Sequence, residues 1–176
     1  PMKKQHLLLL SFGLFTASCS SGPQAPEIPT FSVTSDEYTG DSVLRGSFIE
    51  NEGGFAAGMG GRPHVRYRLA AVKKTGSNEV PKVGAMATIV GIGSNVGWTF
   101  PQSAFVLGGR QLELETSSKL SGTIEYENTS MELSNTILTV GKEKGLQIKI
   151  IGRNHDLYLK YPPEYVREFC ERLKSL

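Results

Sequence analysis

Period-two alternation, repeated along the chain, is the feature that most limits what this sequence can fold into. Successive side chains of a strand point to opposite faces. From His64 to Val72, the residues Val65, Tyr67, Leu69 and Ala71 alternate with Arg66, Arg68 and Ala70. Leu112 and Leu114 alternate with Glu113 and Glu115 across Gln111 to Thr116. Thr123 to Glu127 repeats the scheme, which puts Ile124 and Tyr126 inward and Glu125 and Glu127 outward. Leu146 to Ile150 and Leu157 to Tyr161 end the series. Charges on the outer face predict antiparallel sheets, buried on one side and solvated on the other. Turn signals separate the runs at Thr75-Gly76-Ser77-Asn78, Gly108-Gly109, Ser121-Gly122 and Gly152 to Asp156.

Two segments carry helical spacing. Asn135 to Lys144 has Ile137, Leu138 and Val140 facing inward and Gly145 placed as a C-terminal cap, with a strand as the competing assignment. The stronger helix opens at Pro162-Pro163, with Glu164 in its first turn. Tyr165, Val166, Phe169, Cys170, Leu173 and Leu176 form its apolar stripe. Glu168 and Arg172 face each other one turn apart. The predicted fold is therefore mainly β: a two-layer antiparallel β-sandwich or partly open barrel with a C-terminal amphipathic α-helix.

Ahead of this domain lies a different kind of sequence. Lys3 and Lys4 are followed by an apolar run from Leu7 to Phe15 and then by Thr16-Ala17-Ser18-Cys19. A bilayer span needs about 20 apolar residues, so the run reads as a secretory signal over residues 1–18 rather than a membrane helix. Pro1, before Met2, is left out of that reading. Residues 19–30 hold Gly22, Pro23, Pro26 and Pro29 and read as a linker. In polyproline II form at about 3.1 Å per residue, Ser20 to Thr30 reach roughly 30 Å. Residues 31–176 form a single β-rich domain.

Thr16-Ala17-Ser18-Cys19 resembles the lipobox of bacterial lipoproteins, matching it at Ala17, Ser18 and Cys19 and departing at Thr16, where the family carries an aliphatic residue. The resemblance covers the first tenth of the chain. It implies that Cys19 becomes the mature N-terminus, carrying a diacylglyceryl thioether and an amide-linked acyl chain such as palmitate. A single chain binds a membrane only marginally, so a stable anchor takes more than one. Ser20 after the cysteine implies an outer-membrane rather than an inner-membrane destination. The chain from Trp98-Thr99-Phe100 through Leu112-Glu113-Leu114 to the final helix is also similar to small bacterial lipoproteins of unknown function. That general likeness implies no further site residue.

Composition limits the partners. The whole chain has net charge +2, with 19 basic and 17 acidic residues. Without Lys3 and Lys4 the numbers are equal, so the domain has no basic footprint for nucleic acid. There are two cysteines. With Cys19 acylated, Cys170 has no disulfide partner, and the fold stands without an internal disulfide.

Candidate chemistry is sparse. Gly53 to Gly61 is rich in glycine, but Arg62-Pro63 and an alternating strand follow where a phosphate loop needs a helix. It reads as a surface loop, with Phe55, Met59 and Arg62 as possible partner contacts. Gly91 to Gly97 imitates a dinucleotide fingerprint with the wrong spacing. His64 and His155 are far apart in sequence, so no metal is expected, and His155-Asp156 reads as a turn. Cys170 on the helix stripe reads as a small buried hydrophobe. Trp98, with Phe100 and Phe105, reads as core. Glu113/Glu115 and Glu125/Glu127 read as solvated strand charges, able to pair with Arg66 and Arg68 on a neighbouring strand for about 0.2–1 kcal/mol per pair.

No catalytic residue, metal or cofactor is assigned. The expected role is that of a periplasm-facing outer-membrane lipoprotein, tethered through lipid at Cys19, that acts as a binding or scaffold and assembly-accessory module for an envelope protein partner. The alternatives are a cell-envelope hydrolase with an unmarked site, and small-ligand binding between the sheets near Trp98.

Overall fold

A computed structural model of the chain describes residues 29–51, 63–92 and 99–176. Eleven strands and two helices are described. The first sheet contains β1 (Phe31–Ser35), β2 (Ser42–Gly46), β3 (Ile49–Glu50), β4 (His64–Lys73), β5 (Lys82–Ile92), β8 (Leu114–Ser121) and β9 (Ile124–Glu132). Their order is β1-β2-β4-β5-β9-β8, with β3 paired to β4 beyond the end of β2. The second sheet contains β6 (Pro101–Val106), β7 (Gln111–Leu112), β10 (Leu146–Gly152) and β11 (Leu157–Tyr161), in the order β11-β10-β6-β7. All pairings are antiparallel. Helix α1 (Asn135–Lys144) joins β9 to β10, and α2 (Pro163–Leu173) follows β11. The protein is a mainly β, sandwich-like structure with two open sheets and a C-terminal helix, and the sheets do not close into a barrel.

The alternation in β4 is realised as the sequence predicts. Val65, Tyr67, Leu69 and Ala71 are buried, while Arg66 is exposed and Arg68 half-buried. Cross-strand register extends this inner face: Leu69 lies opposite Ala85, and Ala85 opposite Met131. Ala104, Ile148, Ile150 and Leu159 of the second sheet meet them in one core. Burial of each of these leucine and isoleucine side chains contributes about 1.5–3 kcal/mol.

One sequence expectation fails on phase and another on strand order. In β9, Glu127 is the inward residue, 5 % exposed and opposite Ile89, while Tyr126 sits with Val90 on the outer face. Met131 and Leu133 set the phase of this strand, because both are buried and both have odd numbers. Gln111 to Thr116 is two strands rather than one. Leu112 pairs in the second sheet and Leu114 in the first, so the chain crosses between layers at Glu113 without breaking its alternation. Arg66 and Arg68 do not pair with the glutamates, because β5 lies between β4 and β9 and places Thr88 and Met86 opposite the arginines.

Helix α1 is a helix despite Thr136, Thr139 and Gly141. Ile137, Leu138 and Gly141 are its buried residues, while Val140 points outward and is 52 % exposed. Gly145 ends it with φ of +78°, and its N–H donates to the Gly141 carbonyl at 2.9 Å. A side chain there would be strained by φ and would press on the Tyr161 carbonyl. Helix α2 buries Tyr165, Val166 and Phe169, with Cys170, Leu173 and Leu176 partly buried beside them. The Glu168–Arg172 pair forms at 2.9 Å. The two helices pack together, and α2 also touches β2.

Candidate binding groove

The break between β2 and β3 builds a concave surface against α2. Ser47 and Phe48 interrupt the strand. The Ser47 N–H donates to the Thr30 carbonyl at 2.6 Å, which ties the entering chain to the break. The Ser47 carbonyl accepts from the Tyr165 hydroxyl at 2.8 Å, and that hydroxyl accepts the Leu69 N–H at 3.3 Å. The phenol of α2 thus stands where a strand neighbour of β4 would otherwise complete the ladder. Gly46 is what lets it in: a Cβ at this position would collide with the Tyr165 hydroxyl. Burial pushes the Tyr165 phenol up to about 12, so the hydroxyl remains a proton donor.

Phe48 is turned outward by this break and is 40 % exposed. The guanidinium carbons of Arg66 and Arg68 stand 4.7 and 4.2 Å from its ring centroid. Cation–π contact of this kind contributes about 0.5–1 kcal/mol each at exposed sites. Burial, and then the neighbouring Arg45, lower the Arg68 guanidinium from its ordinary value. The arginines predicted to meet strand carboxylates are therefore held by an aromatic face.

Between this strand break and α2 runs a groove of about 910 Å³. Pro29, Phe48, Ile49, Pro162 and Tyr165 give it apolar walls. Its polar lining includes Glu50, Glu164, Glu168 and Arg172, three carboxylates against one guanidinium. Arg172 is engaged with Glu168, which leaves an acidic rim. Apolar walls with a few fixed polar groups are the usual make-up of a binding site. A second groove, of about 540 Å³, runs over the outer face of the first sheet past Ala70, Val72, Met86, Glu115 and Glu132.

His64 is buried on the outer face of the first sheet, with Nε2 4.0 Å from Glu50 Oε1. His155 lies in the β10–β11 turn, where the adjacent Asp156 pairs with Lys149 at 2.8 Å. Neither histidine lines the two grooves above. Among the described residues no group of three or more His, Cys, Asp or Glu side chains is placed to hold a metal ion. Cys170 is a half-buried free thiol, and burial pushes its pKa up, which suppresses the nucleophilic thiolate. Glu113 and Glu115 are exposed, as expected. Phe100 is not core: it is 42 % exposed, with φ of +48° and the Arg153 guanidinium 5.0 Å from its ring.

Cys19, Phe55, Met59, Arg62 and Trp98 lie outside the described residues, as do most of both glycine-rich stretches. The attachment points of those stretches are described. Asn51 Oδ1 accepts the Val65 N–H at 2.9 Å and Asn51 Nδ2 donates to the Pro63 carbonyl at 3.1 Å, which clamps the ends of 52–62 together. Buried Glu127 accepts the N–H groups of Thr99 at 2.7 Å and Phe100 at 2.8 Å, which fixes the exit of 93–98. His64 and Val90 are cross-strand neighbours, so both stretches leave the same end of the first sheet.

The sequence places Tyr165 in a helix stripe, assigns Glu127 to the solvated face that the structure shows it does not occupy, and singles out nothing at Phe48. For Phe48 the available signal was Gly46-Ser47, which interrupts an apolar alternation next to a large aromatic residue. Among the described residues no helix is long and apolar enough to cross a membrane. Comparison with known proteins finds no matching family model, no matching curated protein and no matching solved structure.

Proposed function

We propose that this chain is an outer-membrane lipoprotein, anchored through Cys19 and facing the periplasm, whose domain binds an extended segment of an envelope protein as a scaffold or assembly accessory. The signal-like residues 1–18, the cysteine and the Pro-rich linker support the tether. The observation that carries the binding role is the groove between Phe48 and α2. Its walls are largely apolar, its rim is acidic, and it is bounded by the β2–β3 break on one side and by the start of α2 on the other. A segment with apolar side chains at alternate positions and one or two Lys or Arg residues fits it by shape and charge.

The groove opens beside Pro29, where the linker meets the domain. A partner seated there would be held close to the anchored end of the chain. The small-ligand alternative needs a cavity between the sheets. Leu69, Ala85, Ile148, Ile150 and Leu159 occupy that interior with at most 1 % exposure each.

A photo-crosslinkable residue in place of Ile49, introduced into the full chain in cells, tests the binding role. A discrete crosslinked protein is expected, and Glu164→Arg should weaken it by reversing charge at the rim. Absence of any discrete crosslinked protein, or one indifferent to Glu164→Arg and to Phe48→Ala, would contradict the proposal.

A further inference from the structure

The outer edge of β8 is the longest open strand edge among the described residues. No described strand lies beyond it in the first sheet. Every residue from Glu115 to Ser121 is exposed. Leu120 is 61 % exposed, an apolar side chain left in water among exposed residues that are otherwise polar. Open edges of this length invite pairing with another chain.

The direction of the backbone groups follows from the ladder. The Leu133 N–H donates to the Val83 carbonyl, so odd-numbered residues of β9 bond toward β5 and even-numbered ones toward β8. Ser130, Asn128 and Tyr126 lie opposite Glu115, Ser117 and Lys119. Those three residues of β8 therefore turn their backbone groups toward β9. Leu114, Thr116, Ser118 and Leu120 turn theirs toward the open edge.

The sequence of this edge is self-complementary. Reversed about Ser117, Leu114 meets Leu120, Glu115 meets Lys119 and Thr116 meets Ser118. An antiparallel pair in this register has a two-fold axis at Ser117. Glu115 and Lys119 share the outer face with Ser117, and Leu114 and Leu120 share the inner face, so each meeting is between side chains on one face. The interface contains two Glu–Lys pairs and two Leu–Leu pairs. A Ser117–Ser117 contact sits at its centre, at a site whose backbone groups point away.

We propose that β8 pairs with β8 of a second copy of this chain about Ser117, forming a symmetric dimer in which the two first sheets become continuous. A single patch meeting itself is the standard form of a two-fold interface. The lysine that would guard an open edge here serves as the partner of Glu115. One-residue slips put Glu115 and Lys119 on opposite faces of the paired strands, so charge and the two leucines both select this register. The proposal is independent of the groove beside α2.

The test uses the full chain in detergent. Native mass spectrometry and light scattering of wild type are expected to give twice the mass of one chain. Lys119→Glu and Glu115→Lys each place like charges opposite one another, and each should raise the dissociation constant at least tenfold. The double variant Glu115→Lys/Lys119→Glu restores opposite charges and should recover the wild-type value. In a directly opposed, non-hydrogen-bonded pair the Cα atoms lie about 4.5 Å apart, within disulfide range. Ser117→Cys should therefore oxidise to a covalent dimer, while the wild-type chain and Tyr38→Cys, which share Cys19 and Cys170, should not. A wild-type chain that stays monomeric, a dimer indifferent to the single reversals, or failure of the double variant to recover would overturn the proposal. Unchanged circular dichroism spectra for the variants separate lost pairing from lost folding.

Discussion

The hydroxyl of Tyr67 on β4 closes on the main chain of Lys160 on β11. It donates to the Lys160 carbonyl at 3.1 Å and accepts the Lys160 N–H at 3.2 Å. Lys160 belongs to the edge strand of the second sheet, and Tyr67 to the interior of the first. One phenol therefore satisfies both backbone groups of an edge residue and joins the layers. Tyr161 returns the contact, donating from β11 to the Arg68 carbonyl at 3.4 Å, and the Tyr67 and Tyr161 rings meet edge-on at 5.1 Å.

Removing that hydroxyl leaves two backbone groups without this partner. Tyr67→Phe should lower unfolding free energy by about 1–3 kcal/mol, read as a lower urea midpoint with unchanged slope. Tyr158→Phe, on the exposed face of β11, should stay within about 0.5 kcal/mol of wild type.

Gly46 and Tyr165 are coupled in the same sense. Gly46→Ala pushes a methyl into the phenol and should cost about 1–3 kcal/mol, as overpacking does. In a Tyr165→Phe background the nearest clashing atom is gone, so the Gly46→Ala cost should shrink. A double-mutant cycle of denaturation free energies measures the difference. Additive costs would contradict the contact.

Glu127 should behave as a structural carboxylate. Glu127→Gln keeps one acceptor oxygen but presents an NH₂ group to the second amide. The loss should be about 1.5–3 kcal/mol, the scale of a hydrogen bond to a charged group. Amide exchange at Thr99 and Phe100 should accelerate, and amides in β2 should not respond beyond the global change.

How much of this was legible in the sequence depends on how many residues set each phase. β4 offers four inward residues in one run, Val65, Tyr67, Leu69 and Ala71, and its faces are unambiguous. In β9 the segment Thr123 to Glu127 taken alone misleads, because Ile124 and Tyr126 outweigh the glutamates. Extending the frame to Met131 and Leu133 reverses it. Val140 is a similar case, since α1 turns Gly141 rather than the larger residue onto α2. The groove was illegible for another reason. It depends on Tyr165 reaching Gly46 across more than a hundred residues of chain, and no local periodicity records that distance.

Alkaline pH tests the three tyrosines together. Burial raises the Tyr67, Tyr161 and Tyr165 phenols above the ordinary value of 10, Tyr165 to about 12. The folded state therefore holds these protons more tightly than the unfolded chain. Their contribution is complete below pH 10 and is lost as pH rises above it, for Tyr165 through about 12. Denaturation midpoints should be flat with respect to these groups below pH 10 and fall above it. Tyr165→Phe should flatten part of that fall.

The lipid tether is the central claim, and the mass of the mature N-terminus tests it most directly. The account predicts that protein purified from envelopes begins at Cys19 and carries a diacylglyceryl group on sulfur and an acyl chain on the amine. Intact mass and fragmentation of the N-terminal peptide read both. A mature chain that begins elsewhere, or that begins at Cys19 with an unmodified thiol, would contradict it.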